Sequence, residues 1–198
     1  MRRSAPDSPR TPGSSRVPRP APNENFLLVS ASAHLPASPL VPVARRIADA
    51  GCNLVDARLA TIGGESTLIA LASGSWDAIA KLESALARLE REDTLRVQHF
   101  RTSAKPQQPT LLPYLVEIVA ADKPGIVSEV AEFFAQQGIT IDSLSCTRYR
   151  AIQTGAEMFQ AQLTVGIPAD LHIAALRDDF LDFCDQLNLD AIIDPIKY

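Results

Sequence analysis

Apolar and polar positions repeat one order of patterns twice along the chain. "NFLLVSASA", from Asn25, is apolar and β-like. A short helical pattern, "PVARRIADAG", ends at Gly51, where glycine suits the turn that closes a helix. "CNLVDARLATI" and "ESTLIALAS" are strand-like runs joined by Gly63-Gly64, a hairpin signal. Ser75 is a good N-cap for the next helix, which lines up Ile79, Leu82, Leu86 and Leu89 on one face. "TLRVQHFR", from Thr94, closes the copy as a strand.

The second copy opens with "PYLVEIVAA" as a strand. Its first helix carries Ile126, Val130, Phe133 and Phe134 on one face and stops at Gly138. "ITIDSLSCTRY" and "EMFQAQLTVGI" form a hairpin around the loop "RAIQTGA". Pro168 and Asp170 are expected to start a helix whose Ile173, Leu176, Phe180, Phe183 and Leu187 make a continuous stripe. "LDAIIDPI" is the last strand.

Each copy therefore reads βαββαβ, which is the ferredoxin-like α+β arrangement of four antiparallel strands with two helices on one face. The expected domains are residues 25–101 and 113–198. Between them, 102–112, "TSAKPQQPTLL", is polar, holds Pro106 and Pro109, and reads as a linker. Four-stranded sheets leave unpaired edges, so the copies are expected to pack side by side as a pseudo-dimer. Dimerisation of whole chains is expected as well.

Residues 1–24 break the pattern. They hold six prolines and five arginines with almost nothing apolar, and are expected to be a disordered tail. The tail has no apolar core of a secretory signal, and its prolines oppose the amphipathic helix of a transit peptide.

Charge narrows the function classes. The whole chain is −4; without the tail it keeps 14 basic and 21 acidic residues, or −7. That balance argues against a nucleic-acid binder. No apolar run approaches the roughly 18 residues of a membrane span, and a cytoplasmic location is expected. Cys52, Cys146 and Cys184 are far apart, form no CxxC, and read as buried free thiols. His34, His99 and His172 have no metal-ligand spacing and no local nucleophile partner, so neither a metal site, a cofactor nor a catalytic centre is expected.

The most informative stretch is "VAADKPGIVSEVAEFFAQQGITID", where a strand hands over to a helix through Asp122-Lys123-Pro124-Gly125. Pro124 suits a first helical turn. The Asp122 carboxylate is placed to cap free N–H groups, and Gly125 allows another backbone or a small ligand to come close. The N–H groups of such a turn can hold a carboxylate. On spacing alone, a well-capped strand-to-helix turn is the plainer reading.

The βαββαβ order, with "DKPGIVSEVAEFFAQQGITI" and "EMFQAQLTVGIP", resembles the ACT domain, a regulatory module that commonly binds amino acids between paired copies. "AGCNLVDARLATIGGESTLIALASGSWDAIAKLE", with the tandem layout, resembles the glycine cleavage system transcriptional repressor family. The resemblance implies a non-enzymatic cytoplasmic regulator that responds to glycine. It implies action by contact with an activator protein of the LysR type, without direct nucleic-acid binding. It also implies ligand-binding residues at Asp122, Lys123, Pro124, Gly125, Ile126 and Thr140, with Asn53 supplied by the first copy.

The chain departs from the pattern in one respect. In the register of Gly51 and Gly138, the first copy has Leu35, Pro36, Ala37 and Ser38 in place of the motif, and Pro39 and Pro42 are expected to delay its helix. Conversely, the first copy has Asn53 where the second has Thr140. Neither copy is complete, and a shared site follows as an expectation. Three other readings compete. Acylphosphatases share the fold but need an Arg that "AHLPASP" and "ADKPG" lack. RNA-recognition motifs need stacking aromatics in a recognisable motif, and Tyr114, Tyr149 and Phe159 do not make one. A tandem ACT sensor regulating a metabolic enzyme is the closest competitor.

Overall fold

A computed structural model describes residues 24–92, 95–104 and 111–196. Most of the expected tail and residues 105–110 of the expected linker lie outside the described residues. The chain divides into two compact units, with the boundary between Pro106 and Gln107.

The first unit contains β1 (Asn25–His34), α1 (Leu40–Asp49), β2 (Asn53–Ile62), β3 (Glu65–Gly74), α2 (Trp76–Glu92) and β4 (Arg96–Thr102). The second contains β5 (Leu111–Ala121), α3 (Ile126–Gln136), β6 (Thr140–Arg150), β7 (Glu157–Pro168), α4 (Ile173–Gln186) and β8 (Asp190–Pro195). The sheets are antiparallel, in the orders β2-β3-β1-β4 and β6-β7-β5-β8. Each unit is the expected ferredoxin-like α+β fold.

Alternation builds the cores. In β1, Leu27, Val29, Ala31 and Ala33 are buried and face the helices, while Leu28, Ser30 and Ser32 face the other way. In β5, Tyr114, Val116, Ile118 and Ala120 do the same. The helical stripes close these layers: Ile79, Leu82, Leu86 and Leu89 from α2, and Leu176, Phe180 and Cys184 from α4. Ser75 caps α2 as expected, its Oγ accepting from the Ala78 N–H at 3.2 Å. Arg101 on β4 grips Glu83 on α2 through two 2.9 Å hydrogen bonds. That contact holds the Glu83 carboxyl below its ordinary pKa.

Three local expectations need correction. The fourth helix starts at Ile173, not at Pro168 or Asp170. Pro168 ends β7, and His172 is the N-cap, its Nδ1 accepting from the Ala175 N–H at 3.2 Å. In the first copy, α1 starts at Leu40 with Pro39 as N-cap, so Pro42 falls in the first turn. Its missing N–H costs nothing there, because first-turn donors have no intrahelical acceptor. Finally, Cys52 and Cys184 are buried but Cys146 is exposed, because β6 is an edge strand, exposed along nearly its whole length.

Candidate functional site

The turn between β5 and α3 is built from the backbone outward. The Asp122 N–H donates to the Glu157 carbonyl at 3.0 Å, which pins the end of β5 to the start of β7. The chain then turns through Pro124 and Gly125 into α3. Gly125 is the N-cap, in a left-handed conformation with φ +99°, and no side chain caps this helix end. The Gly125 carbonyl accepts from the Glu129 N–H at 3.0 Å and from the Ser128 hydroxyl at 2.8 Å. An exposed helix start with free N–H groups and a partial positive charge is an anion-binding geometry.

Side chains at the turn have different duties from those expected. Asp122 does not cap α3. It lies three residues before the N-cap, and its Oδ2 accepts from Arg148 Nη1 on β6 at 3.3 Å instead. Lys123 donates from Nζ to the Leu187 carbonyl at 2.9 Å, at the C-terminal end of α4. The need for glycine at 125 is conformational: a Cβ there would meet only Glu129 Oε1, at an ordinary 3.6 Å. The same open space leaves room above the turn.

Pro124 is exposed, while the Ile126 side chain is buried in the core, leaving its backbone N–H as what it offers the site. Thr140 opens β6 and is exposed; its Oγ1 lies 3.0 Å from where a Cβ of Gly166 would stand, so that glycine makes room for it. Asn53 opens β2, exposed, paired with Ser73. The structure thus brings Asp122 to Ile126 together in one turn and places Asn53 in the other unit.

Sequence reading missed three residues here: Arg148, Ser128 and Glu129. Glu129 Oε2 is out of solvent and has no hydrogen-bond partner among the described residues. Ser128 and Glu129 follow Gly125 by three and four residues, the first helical turn, and that spacing could have flagged them. Nothing local could flag Arg148, which reaches Asp122 only through the sheet order.

The corresponding turn of the first unit supports the alignment of the copies. The Leu35 N–H donates to the Gly64 carbonyl at 2.9 Å, as Asp122 does to Glu157. There the likeness ends: the Leu35–Pro36 peptide is cis, and at the helix start the Leu40 N–H donates to Ser38 Oγ at 3.4 Å. Among the described residues no group of side chains could hold a metal ion, and no helix is long and apolar enough to cross a membrane.

Comparison with known proteins meets the same division. Two ACT domain models match, one over residues 25–99 and the other over 114–155. A glycine cleavage system transcriptional repressor of Escherichia coli K12 is 31% identical over 156 residues, covering 79% of this chain and 82% of that protein. The chain belongs to the glycine cleavage system transcriptional repressor family. The Shigella flexneri repressor matches equally well. A solved structure of a candidate glycine cleavage system transcriptional repressor superposes with a TM-score of 0.68 at 27% identity, over 88% of this chain and 99% of that one. An unknown protein from Galdieria sulphuraria shares the fold, with a TM-score of 0.71 at 20% identity over 88% of this chain and 99% of that one. The family assigns this tandem ACT protein a regulatory role.

Proposed function

We propose that this family member is a glycine-responsive repressor of the glycine cleavage system. In this reading it acts in the cytoplasm, without catalysis, by binding an activator protein of the LysR type. Kinship with the named repressors over most of the chain supports the target, and the ACT domains support a small amino-acid ligand. The observation that carries the ligand site is the uncapped start of α3 at Gly125.

In this proposal the glycine carboxylate sits on the N–H groups that follow Gly125. Asp122, Lys123 and Pro124 shape the turn, Ile126 offers its N–H, and Thr140 flanks the site. Asn53 completes it from the first unit, which requires the two units to pair within one chain. Small-angle scattering that fits only two separated units would refute it.

Glycine has five heavy atoms, so at a ceiling of about 1.5 kcal/mol per atom its affinity stops near low micromolar. The protein is therefore a micromolar-to-millimolar sensor. The deciding experiment is affinity capture from the native host with and without glycine. Glycine-dependent recovery of a LysR-type activator supports the proposal; recovery of a metabolic enzyme instead replaces it with an enzyme-regulating sensor.

A further inference from the structure

The duplicated fold lets each unit serve as the control for the other. In the second unit the seam between the helices is filled by aromatic rings: Phe133 of α3 stacks on Phe183 of α4 at 4.9 Å and also meets Phe134 and Phe180. The matching positions in the first unit follow from shared backbone contacts. Cys52 N–H bonds to the Ile47 carbonyl as Ile139 N–H bonds to that of Phe134, so Arg46 stands where Phe133 does. Aligning the buried Leu82 with Phe180 and Leu86 with Cys184 puts Ala85 where Phe183 lies.

The first unit thus has a cation and a methyl group in place of the stacked pair. The result is an open cavity of about 330 Å³ between α1 and α2, lined by Arg46, Asp49, Ala50, Lys81, Ala85 and Arg88. A neighbouring hollow along α2 shares Lys81 and Arg88. Among the described residues, Arg46, Lys81 and Arg88 line the cavity with the carboxylate of Asp49, and Asp77 lines the neighbouring hollow, in a chain whose overall charge is −4. Arg88 donates Nε to the Ser84 carbonyl at 3.3 Å, which holds its guanidinium along the groove. Basic residues on a solvated helix face are ordinary, so charge alone would carry nothing. The concavity under them, at the position that the sister unit fills, is what distinguishes this one. Its volume is at the lower end of small-ligand sites.

We propose that the α1–α2 seam of the first unit binds a small polyanion, bearing phosphate or several carboxylates, through Arg46, Lys81 and Arg88. This would be a second input to the regulator, separate from the turn at Gly125. Its recognition is electrostatic and so weakens with salt.

The test is calorimetric titration of the full chain at low ionic strength with two probes, pyrophosphate for the phosphate source and citrate for the carboxylate source. Saturable binding of one of them is expected, and which one binds identifies the source. The Lys81→Glu, Arg88→Glu double variant is expected to weaken it by about tenfold or more. Ala85→Phe is expected to abolish it by restoring the ring that the second unit carries, with cooperative unfolding retained. Glycine binding should be unchanged in both variants. Absence of saturable binding of either probe, or binding that survives the double variant unchanged, overturns the proposal.

Discussion

The ammonium of Lys123 donates to the carbonyl of Leu187 at 2.9 Å, tying the turn after β5 to the far end of α4. Leu187 is the C-cap residue, where the last carbonyls carry partial negative charge. The ammonium is therefore engaged within its own unit, and in the proposed site it would only hold the turn. Lys123→Met is expected to lower stability by about 0.5–1 kcal/mol, read from the midpoint of urea unfolding with unchanged slope. Glycine affinity should shift by less than about threefold, since that loss is spread over the turn as a whole. Undiminished stability with lost binding would instead make the ammonium a direct ligand contact.

Gly125 and Asp122 should differ in what their removal does to stability. An L-residue at φ +99° is strained, so Gly125→Ala is expected to cost about 1–2 kcal/mol. Asp122 contributes only a partly exposed ion pair with Arg148, so Asp122→Ala should cost less than about 1 kcal/mol. A larger loss for Asp122→Ala in thermal unfolding would restore it as a helix cap.

The thiols give a pH-dependent prediction. Burial pushes Cys184 up to about 12 from 9.0, with the Asp185 carboxylate adding to the rise, and burial also raises Cys52. A raised thiol favours the neutral form in the folded state. Its contribution is full below pH 9.0 and is lost as pH rises towards about 12, because the unfolded chain ionises first. Stability should therefore fall with pH across that window, and Cys184→Ala should flatten the slope. At pH 8, an aromatic disulfide reagent should label Cys146 fast, and Cys52 and Cys184 only after denaturation. Equal labelling rates in the native state would contradict the burial.

The fold was legible because its signals are local. Alternation marked each strand, the 3.6-residue period marked α2 and α4, and Gly51 and Gly138 marked helix ends at positive φ. What was not legible depends on residues far apart in sequence. Arg148 and Asp122 are 26 residues apart, Lys123 and Leu187 are 64 apart, and sheet order alone unites them. An apolar pattern likewise cannot tell an edge strand from a central one, which is why Cys146 reads as buried. His172 was overlooked as a cap because an imidazole rarely takes that place.

The two turns themselves provide the sharpest test of the site. Gly125 leaves the start of α3 open, whereas Ser38 already lies beside the first N–H of α1. A valine at 125 would add a branched side chain where the proposed ligand approaches, besides forcing an unfavourable φ. Gly125→Val is therefore expected to abolish glycine binding in calorimetry, while Gly125→Asn, which tolerates the left-handed region better, should separate backbone strain from occlusion. Ser38→Val should leave binding within about twofold, since at most one weak hydrogen bond is lost there. Asn53→Ala probes the contribution of the first unit: weakened binding with unchanged stability is the expected result of a shared site, and unchanged binding confines the site to the second unit. If Ser38→Val removes the response while Gly125→Val spares it, the ligand belongs to the first turn, and Asp122–Gly125 does no more than start a helix.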